Sequence, residues 1–362
     1  MAVAAGLLGA CAVLVVLVEA PGGHGAPRRA SPGPRPRRLA PAALTPSARH
    51  GLRLLREAAT ACQKVPFRGV QLAAWWGPAG GSASVIQVWH RPGGAVLARS
   101  SGTAAGPAGE RQADPGVLPD TDEVMTLTPA LVSRMRANYV LSYGGRGAVD
   151  GRAAQLVEAR RPGGGLAARF WIDDATRLPL RRELFDSHSA IFSEDAFVGL
   201  STGAGQLRSM PAADAQPWSG DLTSARRAEL RARGWPIPAA LAGGLTLFNS
   251  TEMTSRSGRV VELSYSDGLS VISVFLQRGQ LPRNLPGWRR IKASGSSVYA
   301  IDPDDRSLAW SSRGFVYTVI SDAPVGTVDQ AILGLPHDNP SGFWERMDRG
   351  FRRMASWANP FR

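Results

Sequence analysis

Cysteine is nearly missing from this chain: Cys11 and Cys62 are its two, and no C-x-x-C pair occurs. That excludes a disulfide framework and a thiolate zinc site as the basis of the fold. Lysine is as scarce. Lys64 and Lys292 are the only lysines among 42 basic side chains; the rest are arginine. With abundant Ala and Gly, that bias reflects a GC-rich coding sequence, so arginine content by itself is weak evidence of function. Histidine is sparse too. His24, His50, His90, His188 and His337 lack the i, i+4 spacing and Glu neighbour of a helical zinc motif. There is no G-x-S-x-G elbow and no Walker loop. The glycines of 77–81 and 163–165 read as hairpin turns, and Asp173, Asp174, Asp302, Asp304 and Asp305 as turn residues rather than metal ligands. Cys62 reads as a small buried apolar residue of a helix. No nucleophile is paired with a base, so the sequence points to a binding protein: not an enzyme, with no cofactor and no metal.

The length of 362 residues allows two domains, and a hydrophobic content of 44% excludes a polytopic membrane protein. The formal net charge of +13 sits largely in terminal segments. No groove-reading motif accompanies it, so nucleic acid is not expected as a partner. Residues 1–18 are apolar or small; as a helix they would span roughly 27 Å, close to the hydrocarbon thickness of a bilayer. They read as a signal sequence or membrane anchor, and 1–20 is assigned to it. No basic residue precedes the run, whereas Arg28, Arg29, Arg35, Arg37 and Arg38 follow it, against the positive-inside preference. A basic leader missing upstream would remove that conflict, and export is the preferred reading. Residues 21–46 form a Pro- and Arg-rich linker, an extended spacer off the membrane.

From Ser47 the chain acquires periodicity. Leu52, Leu55, Ala59 and Cys62 recur at helical spacing until Pro66. Strands are expected at 67–76, 84–90 and 95–99. A short helix follows at 129–137 with Thr128 as its cap, then strands at 139–143, after which 145–151 turns, and at 152–160. The organising stretch is 170–186, F-W-I-D-D-A-T-R-L-P-L-R-R-E-L-F-D, a hairpin whose return strand alternates Leu178, Leu180 and Leu184. Pro179 cannot donate to a ladder, which implies an edge strand or a bulge. Another strand is expected at 190–200, after a turn at Asp186-Ser187-His188-Ser189. Residues 206–234 read as a connection with one helix at 224–232. Beyond Trp235 strands are expected at 261–265, 269–276, 298–301 and 314–320, with a hairpin turn at Ser266-Asp267-Gly268 and a helix at 327–335. A helix first and consecutive antiparallel strands after it give an α+β class. In the tail, 337–362, Phe343, Trp344, Met347, Phe351, Met354 and Trp357 share one helical face opposite a row of arginines. Such a helix suits a membrane interface or a partner, or folds back on its own sheet.

Several of these stretches resemble the MucB/RseB family, regulators of extracytoplasmic-stress sigma factors. They are Val65-Pro66-Phe67-Arg68-Gly69-Val70, Asp150-Gly151-Arg152 with the strand after it, the I-D-x-x-T-x-L-P-L-R-x-E-L-F-D hairpin, Trp235-Pro236, and Tyr265-Ser266-Asp267-Gly268-Leu269-Ser270-Val271. The hairpin also looks like LolA-type lipoprotein carriers. The resemblance implies a LolA-like curved antiparallel half-barrel wrapped around helices at 47–205, then a smaller α+β domain at 235–336. It implies an extracytoplasmic, membrane-associated regulator of a stress-response sigma factor that binds a membrane anti-sigma factor, shields it from proteolysis and senses a lipid-type ligand. A lipid or lipoprotein carrier of the cell envelope is the alternative. Pocket lining is expected from Phe67, Trp75, Trp89, Tyr139, Phe170 and Ile172; ordinary core packing is the competing reading for each.

Overall fold

The computed structural model describes residues 44–337, apart from 78–79, 93–95, 102–116, 120–124, 204, 206–220, 256–257, 283–284, 286, 294–295 and 302–306. The N-terminal segment, most of the linker and all six apolar tail residues, from Phe343 to Trp357, therefore lie outside the described residues.

The first helix, α1 (Pro46–Lys64), starts where local chemistry requires. The Thr45 hydroxyl accepts the Ala48 amide at 3.1 Å, and Pro46 occupies the first turn, where its missing N–H costs nothing. Nine strands then form one antiparallel sheet: β1 (Phe67–Gly77), β2 (Gly80–His90), β3 (Val96–Ser101), β4 (Val117–Pro119), β5 (Val140–Val149), β6 (Arg152–Arg160), β7 (Leu166–Asp173), β8 (Pro179–Phe185) and β9 (Ile191–Thr202). Their order is β4-β3-β2-β1-β9-β8-β7-β6-β5, so the one crossover brings β9 back beside β1. A second helix, α2 (Pro129–Asn138), precedes β5, and the Thr128 hydroxyl accepts the Leu131 amide at 3.2 Å.

The sheet is curled around α1. Nine flat strands would span roughly 40 Å, far wider than a helix of about 10 Å. Yet Ile86 of β2, Phe197 of β9, Phe170 of β7 and Leu141 of β5 share one buried core with Leu54, Leu55 and Ala58 of α1. Register shifts at Val70/Gln71, Tyr143/Gly145, Ala159/Arg160, Trp171/Ile172 and Leu184/Phe185 supply the bending. The half-barrel expected from the sequence is present, and the α+β class with it.

A second antiparallel sheet has seven strands in the order β10-β11-β12-β16-β15-β14-β13. They are β10 (Thr246–Ser255), β11 (Gly258–Ser266), β12 (Val271–Arg278), β13 (Arg289–Ala293), β14 (Ser296–Ala300), β15 (Ser307–Ser312) and β16 (Phe315–Ser321). Its core joins Val261, Leu263, Tyr265, Ile272, Val274 and Tyr317 to Val328, Ala331 and Ile332 of α4 (Val325–Leu333). Leu230 of α3 (Ser224–Ala232) is buried in the same core. This small sheet therefore holds α3 and the large one holds α1 and α2.

Some local readings differ from the structure. The turn expected over 145–151 is confined to Asp150 and Gly151, with φ of 48° and 72°, and β5 runs on to Val149 through a bulge. Two central residues with positive φ match the right-handed twist of the flanking strands. Pro179 opens β8 at a register shift, so the bulge holds; the edge does not, because β8 lies between β7 and β9. Strands β4, β10, β13 and β15 carried no recognisable sequence signal.

Candidate functional site

The concave face of the large sheet is occupied by α1. Leu52, Leu54, Leu55, Ala58, Ala59, Ala61 and Cys62 are buried against it. Burial pushes the Cys62 thiol up to about 11, so it stays protonated and inert at neutral pH. Close approach is possible because residue 51 is glycine: a Cβ there would lie 3.0 Å from the Ser142 carbonyl carbon of β5. The Ser47 hydroxyl accepts the Tyr143 amide at 3.0 Å, which covers part of the β5 edge. Four of the six predicted lining residues meet on this face. Phe67, Trp75, Phe170 and Ile172 are each at most 5% exposed and belong to the core under α1. Phe67 meets Phe197 edge-on at 5.8 Å, and Trp75 meets Phe192 at 5.1 Å.

The other two differ: Trp89 is outside this core, and Tyr139 is partly buried at its margin. Trp89 alternates out of phase with Ile86 and Val88, so it faces the outer side, where the Arg68 guanidinium lies 5.9 Å from its ring. Tyr139 caps α2 and turns toward the small sheet. Its hydroxyl donates to Asp267 Oδ2 at 2.5 Å. Burial first, and then the negative charge of Asp267, push the Tyr139 phenol far above its ordinary value, so it remains a donor.

Tyr139 belongs to a joint between the sheets. The turn from β11 to β12, Ser266-Asp267-Gly268-Leu269-Ser270, is seated on α2. Asp267 Oδ1 accepts the Leu269 and Ser270 amides at 2.9 and 3.0 Å, and its carbonyl accepts Asn138 Nδ2 at 2.8 Å. Arg134 donates to the Thr246 hydroxyl at 3.0 Å and to the Leu247 carbonyl at 3.3 Å. Gly268 has φ +107°, and a Cβ there would be 2.4 Å from the Met135 amide nitrogen. Leu269 is buried in the large sheet's core. Sequence reasoning found the turn but not its docking, because nothing in a local pattern reports which helix a hairpin tip touches.

Residues 115–219 match the model of the MucB/RseB N-terminal domain. Over that stretch the chain is similar to the MucB/RseB N-terminal domain. It is similar to the crystal structure of MucB in complex with MucA(peri), at 22% identity and TM-score 0.45, over 80% of this chain and 99% of that one. It is similar to the Pseudomonas aeruginosa MucA/MucB complex with the same figures, 22%, 0.45, 80% and 99%. LprF from Mycobacterium bovis is a more distant match, at 15% identity and TM-score 0.29, over 47% of this chain and 98% of that one. No curated protein matches the sequence.

Within the matched stretch the organising hairpin is held by polar groups that the sequence had suggested only as turn formers. Asp173 accepts Arg152 at 2.8 Å and both the amide and hydroxyl of Thr176, at 2.9 and 2.5 Å. Burial works against its charge, but those bonds outweigh burial and hold the carboxyl below the usual range. Asp174 accepts Gln155 Nε2 at 2.6 Å, and Gln155 Oε1 lies 3.0 Å from His50 Nε2 of α1. This chain ties the hairpin to the helix. On the outer face Glu158, Arg169, Glu183, Arg181 and Glu194 form a cross-strand ladder of ion pairs. A second polar chain lies inside: Arg182 bonds Asp195 at 2.7 Å, Asp195 is 3.4 Å from Gln71 Nε2, and Gln71 Oε1 accepts the Met125 amide at 3.1 Å. Asp195 shares the inward phase of Ser193 and Phe197, which is the signal that could have marked it.

Helices α1 and α2 face each other across a cleft of about 330 Å³, lined by Leu52, Arg56, Ala59 and Thr60 on one side and Pro129, Val132, Ser133 and Arg136 on the other. Sequence reasoning did not single out this pair of stripes, because each spacing alone reads as an ordinary amphipathic helix.

Proposed function

We propose that this protein is an extracytoplasmic, non-enzymatic regulator of a stress-response sigma factor, acting by binding the outer part of a membrane anti-sigma factor. The observation that carries the reading is the match of residues 115–219 to the MucB/RseB N-terminal domain. The solved complex of MucB with MucA(peri) indicates what kind of partner to look for. The working unit is taken as the large domain 47–205 and the small domain 235–336, joined through α2 and the Asp267 turn.

Sensing of a lipid-type ligand belongs to the same proposal. Phe67, Trp75, Phe170 and Ile172 remain candidates for contact with acyl chains, with one physical condition. They are buried in the core that α1 helps to close, so a ligand reaches them only as that core opens. This condition speaks against the carrier alternative, which needs an open cavity for its cargo. Export and membrane association rest on 1–20 and on the tail; among the described residues, no helix is long and apolar enough to cross a membrane.

Capture of the full chain from crosslinked membranes tests the partner. An anti-sigma factor in the captured material supports the regulator; bound lipid alone supports a carrier. The tail helix is proposed to bind anionic vesicles. Equal co-sedimentation by the full chain and by one ending at Leu335 would remove that part.

A further inference from the structure

The cleft between α1 and α2 brings matched stripes together. Leu52, Arg56, Ala59 and Thr60 fall on one face of α1, and Pro129, Val132, Ser133 and Arg136 on one face of α2. Leu52, Ala59 and Val132 are buried and make an apolar floor. Arg56, Thr60, Ser133 and Arg136 are exposed and stand at the rim. No acidic side chain lines the cleft, and among the described residues neither guanidinium has a carboxylate partner. The neighbouring groove on the other flank of α1 is different. It shares Arg56 and Thr60 with the cleft, but it contains a carboxylate: Glu57 lies 3.7 Å from Arg53 and 3.2 Å from Arg177. Two uncompensated guanidiniums at the mouth of a small apolar-floored cleft are poised for an anion that brings its own greasy group.

We propose that this cleft binds an anionic amphiphile: a phosphate oxyanion held by Arg56 and Arg136, with the apolar chain it carries on Leu52, Ala59 and Val132. The volume is at the small end of ligand sites, enough for one head group and a few methylenes. Both walls are helices, so an extended acidic peptide finds no strand edge to pair with. The inference deepens the ligand-sensing half of the proposed function and is independent of the protein partner. Because α2 also carries Arg134, Asn138 and Tyr139, an occupant that moves α2 away from α1 acts on the joint with the small sheet.

The test is calorimetric titration of the full chain with dihexanoyl phosphatidate, kept below its micelle concentration so that membrane binding by the tail plays no part. Saturable binding is expected, weakened about tenfold or more in the double variant Arg56→Ala/Arg136→Ala, as for loss of charge-assisted bonds. Both side chains are exposed, so the variant should fold; Arg56→Lys/Arg136→Lys should restore part of the affinity. Inorganic phosphate and dihexanoyl phosphatidylcholine should each bind more weakly. Inorganic phosphate binding as tightly as phosphatidate would overturn the amphiphile assignment. So would unchanged affinity in the double alanine variant, or tight binding of a short oligoglutamate with none of phosphatidate. No phosphatidate binding by the unaltered full chain, with partner capture intact, would sink the cleft and leave the regulator reading standing.

Discussion

A methyl group on Gly268 would meet the Met135 amide nitrogen at 2.4 Å while the backbone holds φ at +107°. Gly314 also has a positive φ, +79°, but nothing lies within 4 Å of the added atom. The pair separates strain from collision. Gly314→Ala should cost about 1–2 kcal/mol, the penalty of left-handed backbone. Gly268→Ala should cost more and in addition loosen the joint. Urea midpoints at unchanged m measure both; equal losses would mean that the turn is not seated on α2. Asp173 gives a pH-dependent counterpart. Its carboxyl titrates below the usual value when folded, so its contribution is present above about pH 4, the unfolded value, and fades as pH falls through the folded one. Asp173→Asn should therefore destabilise the protein at neutral pH, with the gap from the parent closing in acid. A gap constant down to pH 2 would show that the Arg152 and Thr176 bonds do not discriminate the charged form. At this scale the sequence was informative about residue type and silent about partner. Asp173 read as a turn former, which it is, but nothing in the string placed Arg152 beside it. Trp89 read as lining, and only its phase relative to Ile86 and Val88 puts it outside.

Helix α1 is the element on which the large sheet closes. Leu55 is fully buried in the shared core. Leu55→Ala should cost about 2–5 kcal/mol, the range for emptying a packed leucine site. Thermal or urea unfolding checks this, and a cost under about 1 kcal/mol would mean that α1 does not fill the concavity. Helix α1 was legible through the period of Leu52, Leu55, Ala59 and Cys62, and α2 through Thr128 with Pro129; Thr45 and Pro46, which start α1, had read as the end of the linker. The hairpins were legible for the same kind of reason, through Asp173 to Thr176 and Asp186 to Ser189. Strands β10, β13 and β15 were not. The string T-L-F-N-S-T-E-M-T-S has too few apolar residues to alternate visibly, and R-R-I-K-A is too short. Both become strands because β11 and β14 present ladders for them to complete, a tertiary cause that no local window contains.

The described part of the molecule is two antiparallel sheets, the larger one curled, that meet at one short helix. Residues of α2 look both ways: Val132, Ser133 and Arg136 toward α1, and Arg134, Asn138 and Tyr139 toward the small sheet. A change in how α2 packs on α1 therefore changes the footing of the other sheet, which is the route the proposal requires for a ligand at one place to alter a partner surface at another. Tyr139→Phe tests this footing. It leaves Asp267 Oδ2 without its donor and should lower stability by about 1–3 kcal/mol, while sparing phosphatidate binding in the cleft. An intact urea midpoint would mean that the sheets are held by other contacts. The most direct test of the regulatory reading is the rate at which the extracytoplasmic part of the captured anti-sigma factor is cut by a site-specific protease, with and without the full chain. The account predicts that saturating protein slows cleavage severalfold and that Gly268→Ala weakens this protection. Cleavage at the same rate with and without the protein would contradict it.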